Sequence, residues 1–121
     1  MDFATLRNHL FSKPGAIEEY PFDAVTMVVK VGGRMFALVD IEGSPLRLNL
    51  KCVPEQAEVL RELYPSILPG YHMNKRHWNT VILDSSLPDE EILAMVDESY
   101  RLVLQGLPKS RRPRFDTGVL P

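Results

Sequence analysis

The chain is poor in cysteine and contains no long apolar run. Its 121 residues include one cysteine, Cys52, which excludes an internal disulfide and fits a reducing compartment such as the cytoplasm. No apolar run approaches the about 20 residues that a membrane-spanning helix needs. The opening MDFATLRNHL carries an acid and an arginine within its apolar pattern, unlike a signal peptide. We therefore expect a cytoplasmic protein that makes no use of a membrane.

Residue patterns typical of enzymes and metal sites are also missing from the sequence. No serine stands in a nucleophile elbow, and no glycine-rich stretch matches a phosphate-binding loop. Glu90 and Glu91 are adjacent, so on a helix they point about 100° apart and do not share a site. His72 and His77, with a single cysteine, fall short of the three or four ligands that zinc normally takes. The sequence predicts a protein without catalytic residues, metal or cofactor.

Charge is spread unevenly along the chain. Residues 1–105 carry ten basic and 15 acidic side chains, a net charge of −5, whereas residues 106–121 carry four basic and one acidic, a net charge of +3. An acidic body is not typical of a general DNA-binding protein, which usually has a basic balance. A local basic face remains compatible with these numbers.

The clearest local signal is a hairpin around Gly32 and Gly33. β-Branched and apolar runs flank this pair, and a two-residue glycine turn suits the primed turn types. The resulting register places Met27 opposite Leu38, with both side chains in the core. A further strand at residues 46–51 alternates between leucines, which are predicted to face the core, and polar residues, which are predicted to face outward.

Segments with apolar residues at helical spacing precede, interrupt and follow these strands. The predicted order is α-β-β-β-α-β(-β)-α. A strand begins at Trp78, and the segment before it is predicted to be either a loop or an edge strand. Short connections favour an antiparallel β-sheet flanked by helices, an α+β domain. Residues 1–108 are expected to form this single domain, and residues 109–121 a basic, flexible C-terminal tail. The segment 16–24 is predicted to be a loop.

Three stretches resemble a known family: PGYHMNKRHWNTVIL at 69–83, LPDEEI at 87–92 and SYRLVLQGLPKSRR at 99–112. They are similar to the MmcQ/YjbR family of small bacterial proteins, and the resemblance runs from the first helix to about Arg112. It implies a CyaY-like fold, similar to frataxin, and DNA binding by analogy with double-wing folds. The first helix carries one acid, Asp2, so the acidic iron-binding ridge of frataxin is not expected here.

The polar stretch before the strand at Trp78 is the candidate site. The leading hypothesis is a non-enzymatic binding module for double-stranded DNA, in which basic side chains of this stretch and of the third strand contact phosphates. These residues are Lys75, Arg76, His77, Arg47 and Lys51.

The alternative hypothesis is a protein-interaction or small-ligand-binding domain with a groove in the same stretch. The groove residues are Tyr71, His72, Asn74 and Trp78. A concave pocket lined by Trp78 favours a ligand, whereas a flat positive face favours DNA. A purely structural interpretation is also open: Trp78 packs in the core, Lys75 and His77 fix the loop by hydrogen bonds, and Arg76 is solvated.

Overall fold

The computed structural model describes residues 1–114, which form a six-stranded antiparallel sheet with three α-helices packed on one face. The helices are α1 (Phe3–Phe11), α2 (Pro54–Leu63) and α3 (Asp89–Gln105). The strands are β1 (Ile17–Glu19), β2 (Thr26–Val31), β3 (Arg34–Asp40), β4 (Arg47–Lys51), β5 (Ile67–Pro69) and β6 (Trp78–Ile82). The strand order in the sheet is β1-β2-β3-β4-β6-β5. The predicted α+β class is confirmed.

The helices begin where the sequence provides suitable residues. Asp2 precedes α1, and its carboxylate accepts a hydrogen bond from the Thr5 N–H at 2.8 Å, as an N-cap residue does. Pro54 opens α2, where a missing N–H is harmless. Acidic residues fill the first turn of α3, where they complement the positive end of the helix dipole.

The main core lies between the helices and the inner face of the sheet. Tyr100 of α3 and Phe36 of β3 are its largest buried side chains, and their rings meet edge to face with centroids 5.2 Å apart. The Tyr100 hydroxyl donates a hydrogen bond to the Pro14 carbonyl at 2.7 Å. The buried polar end of Tyr100 is therefore satisfied, as burial requires.

A β-bulge in β3 changes the predicted hairpin register. The pairing shifts at Phe36, so that Met27 pairs with Val39 and not with Leu38. The prediction that put Met27 opposite Leu38 is therefore wrong. Because side chains alternate along a strand, the bulge turns Ala37 and Val39 toward the core and Leu38 toward the outer face.

Ser99 on α3 bonds two backbone groups at the inner face of the sheet. Its hydroxyl donates to the Phe36 carbonyl at 2.6 Å and accepts from the Lys51 N–H at 2.9 Å. Ser99 is fully buried. A bulge leaves its additional residue without ladder bonds, so this hydroxyl replaces the partner that Phe36 lacks.

Two edge strands complete the sheet. β1 forms within the segment predicted to be a loop, and it pairs with β2; the predicted order therefore lacked one strand. β5 pairs with β6, which settles the open choice between one and two strands after α2. Short, charged or proline-containing edge strands limit pairing with other chains, and the same features weaken their sequence signal.

The segment after α3 lies against the domain as far as it is described. Lys109–Arg111 form a single 3-10 turn, and the Arg112 Nε donates to the Leu107 carbonyl at 3.0 Å. Residues 115–121 of the predicted flexible tail lie outside the described residues. Within residues 1–114, no helix combines the length and apolar character that a membrane crossing requires.

Candidate functional site

The outer face of the sheet, opposite the helices, carries an apolar layer of its own. Val28, Leu38 and Trp78 form a buried cluster there, and Met35 and Met73 pack against it. Trp78 is 8% exposed, so it is a packed residue and not an open stacking platform. The outer face is therefore only partly solvated.

The segment 70–77, named here the His72 loop, covers one end of this face. The Gly70 N–H donates to the Trp78 carbonyl at 2.8 Å, and the Tyr71 N–H donates to the Thr80 hydroxyl at 3.0 Å. At the other end of the loop the His77 carbonyl accepts from the Cys52 N–H at 2.8 Å. The loop is thus bonded along its length to β6 and to the residue after β4.

Two side chains brace the middle of the His72 loop. The Asn74 carboxamide oxygen accepts from the Arg76 N–H at 2.9 Å, which forms a local turn of the Asx type. The Lys75 ammonium donates to the Gly70 carbonyl at 3.1 Å and so closes the loop on itself. The bond of Lys75 matches the structural interpretation of the sequence, in which Lys75 fixes the loop by a hydrogen bond.

Arg61 of α2 ties the His72 loop to the helical layer. Its Nε donates to the Asn79 side-chain oxygen at 2.7 Å, and its terminal nitrogen donates to the carbonyls of Lys75 and Trp78. The sequence provides no signal for this role, because a basic residue in the last turn of a helix is explained by the helix dipole. Arg61 thus links α2 to the His72 loop and to β6.

His72 adopts a backbone conformation that is uncommon for residues other than glycine. Its φ is +57°, in the left-handed region that costs a residue with a side chain about 1–2 kcal/mol. Its ring lies 4.0 Å from the ring of Tyr71, centroid to centroid, with the planes tilted by 51°. Both side chains are exposed.

A cavity of about 610 Å³ opens between the His72 loop and the segment 22–25. Residues of four strands form its floor, and residues of the two loops form its walls. The floor residues are Thr26, Leu38, Asp40, Arg47, Asn49 and Thr80. The wall residues are Phe22, Asp23, Val25, Tyr71, His72 and Met73.

The acids of the cavity already accept hydrogen bonds from the protein. Asp23 accepts from the N–H groups of Val25 and Thr26 at 2.9 and 2.7 Å and from the Thr26 hydroxyl at 3.1 Å. The bond from the Val25 N–H, followed by those from Thr26, holds the pKa of Asp23 below its usual value. Asp40 accepts from the Glu42 N–H at 3.2 Å. Both carboxylates therefore shape their own loops.

Arg47 is the basic residue of the cavity floor. It lies beside Asp40 in the β3–β4 pairing, yet no ion pair or hydrogen bond engages its guanidinium among the residues that the structure describes. Next to it Asn49 accepts a hydrogen bond from the Thr80 hydroxyl through its side-chain oxygen. Hydrogen-bond donors on the floor are thus left for a ligand.

The cavity brings together residues from both functional hypotheses. Tyr71 and His72 of the predicted groove line it, and so does Arg47 of the predicted DNA-binding set. The other two predicted groove residues, Trp78 and Asn74, do not line the cavity: Trp78 belongs to the outer apolar cluster with the floor residue Leu38, and Asn74 forms the turn within the loop. Sequence reasoning did not include the segment 22–25, which forms the opposite wall.

The other basic candidates do not line the cavity. Arg76 is exposed, and His77 and Lys51 are half-buried. Lys51 pairs with Trp78 at the end of β4, while the Lys75 ammonium is used within the His72 loop. The five predicted DNA-binding residues are thus distributed over the loop, the end of β4 and the cavity.

Metal and thiol chemistry have little support in the described part of the chain. Across residues 1–114, no three His, Cys, Asp or Glu side chains are grouped so that they could hold a metal ion. Cys52 is buried, and burial, reinforced by the charge of Glu98, raises the pKa of its thiol. A raised pKa keeps the thiol protonated and unreactive.

Comparison with known proteins identifies a family. Residues 11–102 match the YjbR family model. The uncharacterized protein YjbR of Escherichia coli strain K12 is 39% identical over 113 residues, which cover 93% of this chain and 95% of that protein. The uncharacterized protein YbdF of Escherichia coli O157:H7 is 36% identical over 100 residues, which cover 82% of this chain and 81% of that protein.

Solved structures agree with these relatives. The crystal structure of Deinococcus radiodurans protein DR2400, described as a DUF419 domain, is 42% identical with a TM-score of 0.85, covering 98% of this chain and 94% of that one. A crystal structure of a Pseudomonas syringae protein is 28% identical with a TM-score of 0.73, covering 84% of this chain and 98% of that one. The chain belongs to the YjbR family, as the stretches around Trp78 and Tyr100 predicted.

Proposed function

We propose that this protein is a non-enzymatic binding module and that its outer-face cavity binds a small organic ligand. The observation that carries the proposal is the cavity itself, with a volume of about 610 Å³. Small-molecule sites typically measure about 300–1,000 Å³ and combine an apolar lining with a few polar groups. Leu38 and Met73 supply apolar lining here, and Arg47 and Asn49 supply polar groups.

The walls of the cavity are fixed before any ligand arrives. The Lys75 carbonyl of the His72 loop accepts a hydrogen bond from Arg61, the Tyr71 N–H donates to the Thr80 hydroxyl, and Asp23 accepts hydrogen bonds from the start of β2. A preformed site loses little conformational entropy on binding, so more of the contact energy becomes affinity. This rigidity supports a ligand site over a surface loop without a role.

The backbone of His72 gives independent support. Strained conformations persist where the surrounding structure holds them, and they are concentrated at functional sites. His72 keeps a φ of +57° while its side chain lines the cavity. Glycine would adopt this conformation freely, and the side chain that His72 carries instead is exposed at the cavity, where the imidazole can contact a ligand.

Binding without catalysis is supported by the state of the cavity acids. A general base needs a pKa near the working pH and a free position next to the substrate. The three hydrogen bonds to Asp23 occupy its oxygens and lower its pKa. Such a carboxylate is a poor proton acceptor at neutral pH.

Double-stranded DNA is the second candidate ligand, and the exposed Arg76 next to the cavity favours it. A duplex is bound by basic groups spread along one face. On this chain Arg47 shares its cavity with Asp23 and Asp40, and the Lys75 ammonium is bonded within its own loop. The concave, mixed-charge surface thus supports a small ligand more than a duplex.

A fragment screen by two-dimensional amide NMR tests the proposal. Mixtures of neutral, anionic and cationic aromatic fragments are expected to shift the amides of the floor strands and the two walls. The substitution His72→Gly is expected to weaken the binding of those fragments. If no fragment shifts amides of the cavity, the proposal is wrong.

Ser85→Gly is the matched control. Ser85 is exposed, has a φ of +70° and does not line the cavity. Glycine relieves the backbone strain at position 72 and at position 85 alike, so both variants share any general effect on stability, and only His72→Gly is expected to weaken fragment binding.

A duplex titration completes the test. Tight binding that weakens steeply with salt and shifts amides around Arg76 would support DNA instead.

A further inference from the structure

We infer that the ligand of the cavity is an organic acid: a carboxylate that binds Arg47, joined to a flat apolar group that lies between the two walls. This inference rests on the proposed function of the cavity and names its ligand class. It follows from which polar groups of the cavity are already used and which are not.

The basic group of the floor is available. The Arg47 guanidinium has five N–H donors in a planar fork that matches a carboxylate. Within the described part of the chain none of these donors has an acceptor. Asp40 is its cross-strand neighbour, but that carboxylate bonds the Glu42 N–H at 3.2 Å.

The acidic groups of the cavity, by contrast, already accept hydrogen bonds from the protein. Asp23 accepts three from its own loop, which leaves about one of its four lone-pair positions, and Asp40 accepts one from the Glu42 N–H. Asn49 uses its side-chain oxygen for the Thr80 hydroxyl, which leaves its NH₂ group as a donor. Arg47 and Asn49, two residues apart on the outer face of β4, thus present unused donors side by side on the floor, and the complement of such paired donors is an acceptor-rich group such as a carboxylate.

The walls define the rest of the ligand. Phe22 and Tyr71 stand on opposite walls and are 64% and 63% exposed. Large exposed aromatic side chains at a cavity mouth offer faces for stacking. Leu38 and Met73 form the apolar surface between them. A flat apolar group fits this position, with its carboxylate directed at Arg47.

Two probes of the same shape separate charge from shape. Naphthalene-2-carboxylate and naphthalene-2-carboxamide share one ring system and differ in charge. By calorimetric and NMR titration, the wild-type protein is expected to bind the carboxylate about fivefold more tightly, because a charge-assisted hydrogen bond is about twice as strong as a neutral one. Arg47→Gln is expected to remove this preference while both probes still shift cavity amides.

Arg76→Gln is the control for charge. It makes the same change at an exposed arginine that does not line the cavity, and it is expected to keep the preference for the carboxylate. An unchanged amide spectrum outside β4 shows that Arg47→Gln is folded. Equal loss of the preference in both variants would mean a general charge effect and would overturn the inference.

The inference and the proposed function fail in different ways. If both probes bind in the cavity with equal affinity, or if the screen finds only neutral or cationic ligands there, the organic-acid class is wrong and the proposed function stands. If no probe and no fragment of any charge binds in the cavity, both are wrong. A preference for the carboxylate that depends on Arg47 supports both.

Discussion

Replacing Arg61 with alanine is expected to weaken the fold and to loosen the His72 loop. Arg61 donates to the Asn79 side chain at 2.7 Å and to two carbonyls of the loop and β6. Hydrogen bonds from charged donors contribute about 1.5–3 kcal/mol each when they are well formed. The Arg61 side chain is partly exposed, and its bond to the Trp78 carbonyl is long at 3.3 Å. We therefore expect the three hydrogen bonds together to stabilise the fold by the equivalent of one full charged hydrogen bond and part of a second.

The variant also leaves a buried acceptor without its charged donor. Asn79 is 3% exposed, so water has little access to its side-chain oxygen in the folded state. With this penalty the expected loss of unfolding free energy is about 2–4 kcal/mol. Urea unfolding measures it, and Trp78, the only tryptophan of the chain, reports the transition through its fluorescence.

Two controls identify the cause of the loss. Glu62→Ala removes a neighbouring exposed side chain from α2 and is expected to change stability by less than about 0.5 kcal/mol. Arg61→Lys keeps the charge but not the fork of donors, so it should restore less than half of the loss. If Arg61→Ala is as mild as Glu62→Ala, or if hydrogen exchange of the loop amides is unchanged, the bracing role of Arg61 is wrong.

Three further predictions concern the core, a turn and an ion pair. Ser99→Ala leaves two backbone groups of the sheet without partners and is expected to lower the unfolding free energy by about 2–4 kcal/mol in urea; a loss below about 1 kcal/mol would contradict this role. Gly32→Ala forces a residue with a side chain to a φ of +58° and brings its Cβ within 2.6 Å of a leucine side chain, so a loss of at least about 2 kcal/mol is expected by thermal unfolding, and an unchanged melting temperature would refute the clash. Burial raises the pKa of Asp97, but hydrogen bonds and charges of Lys13 and His9 outweigh burial and leave that pKa lowered. The ionised Asp97 carboxylate therefore contributes its full stabilisation above the ordinary carboxyl pKa of 3.8, and this contribution is lost as the pH falls through the lower pKa of the folded state. Between about pH 6 and about pH 3 the wild type should lose more unfolding free energy than Asp97→Asn, and equal losses would contradict the stabilising role of the Asp97 ion pairs.

The hairpin illustrates how far the sequence predicts this fold. Gly32 and Gly33 mark the turn because their positive φ angles are local properties. The bulge at Phe36 was not predictable in the same way, because its unpaired carbonyl is satisfied by Ser99, which lies 63 residues further along the chain. A bulge that depends on a tertiary partner leaves no local sequence pattern. A prediction that omits the bulge misplaces every β2–β3 residue pair beyond it.

The candidate site also contains residues that the sequence predicts and residues that it does not. Tyr71 and His72 were predicted as groove residues, and both line the cavity. The opposite wall around Phe22 and Asp23 was not predicted, because it meets the His72 loop only after the central strands are ordered between them. Arg47 was predicted as a phosphate contact from its outward position in β4, and the same outward position brings it to the cavity floor.

The outer-face cavity is the proposed binding site of this protein. A crystal structure of the protein soaked with naphthalene-2-carboxylate tests it most directly. The probe is expected on the floor of the cavity, with its carboxylate on the Arg47 guanidinium and its ring between Phe22 and Tyr71. An empty cavity under conditions in which solution binding is saturated, or a probe bound only elsewhere on the protein, would show that the cavity is not the binding site.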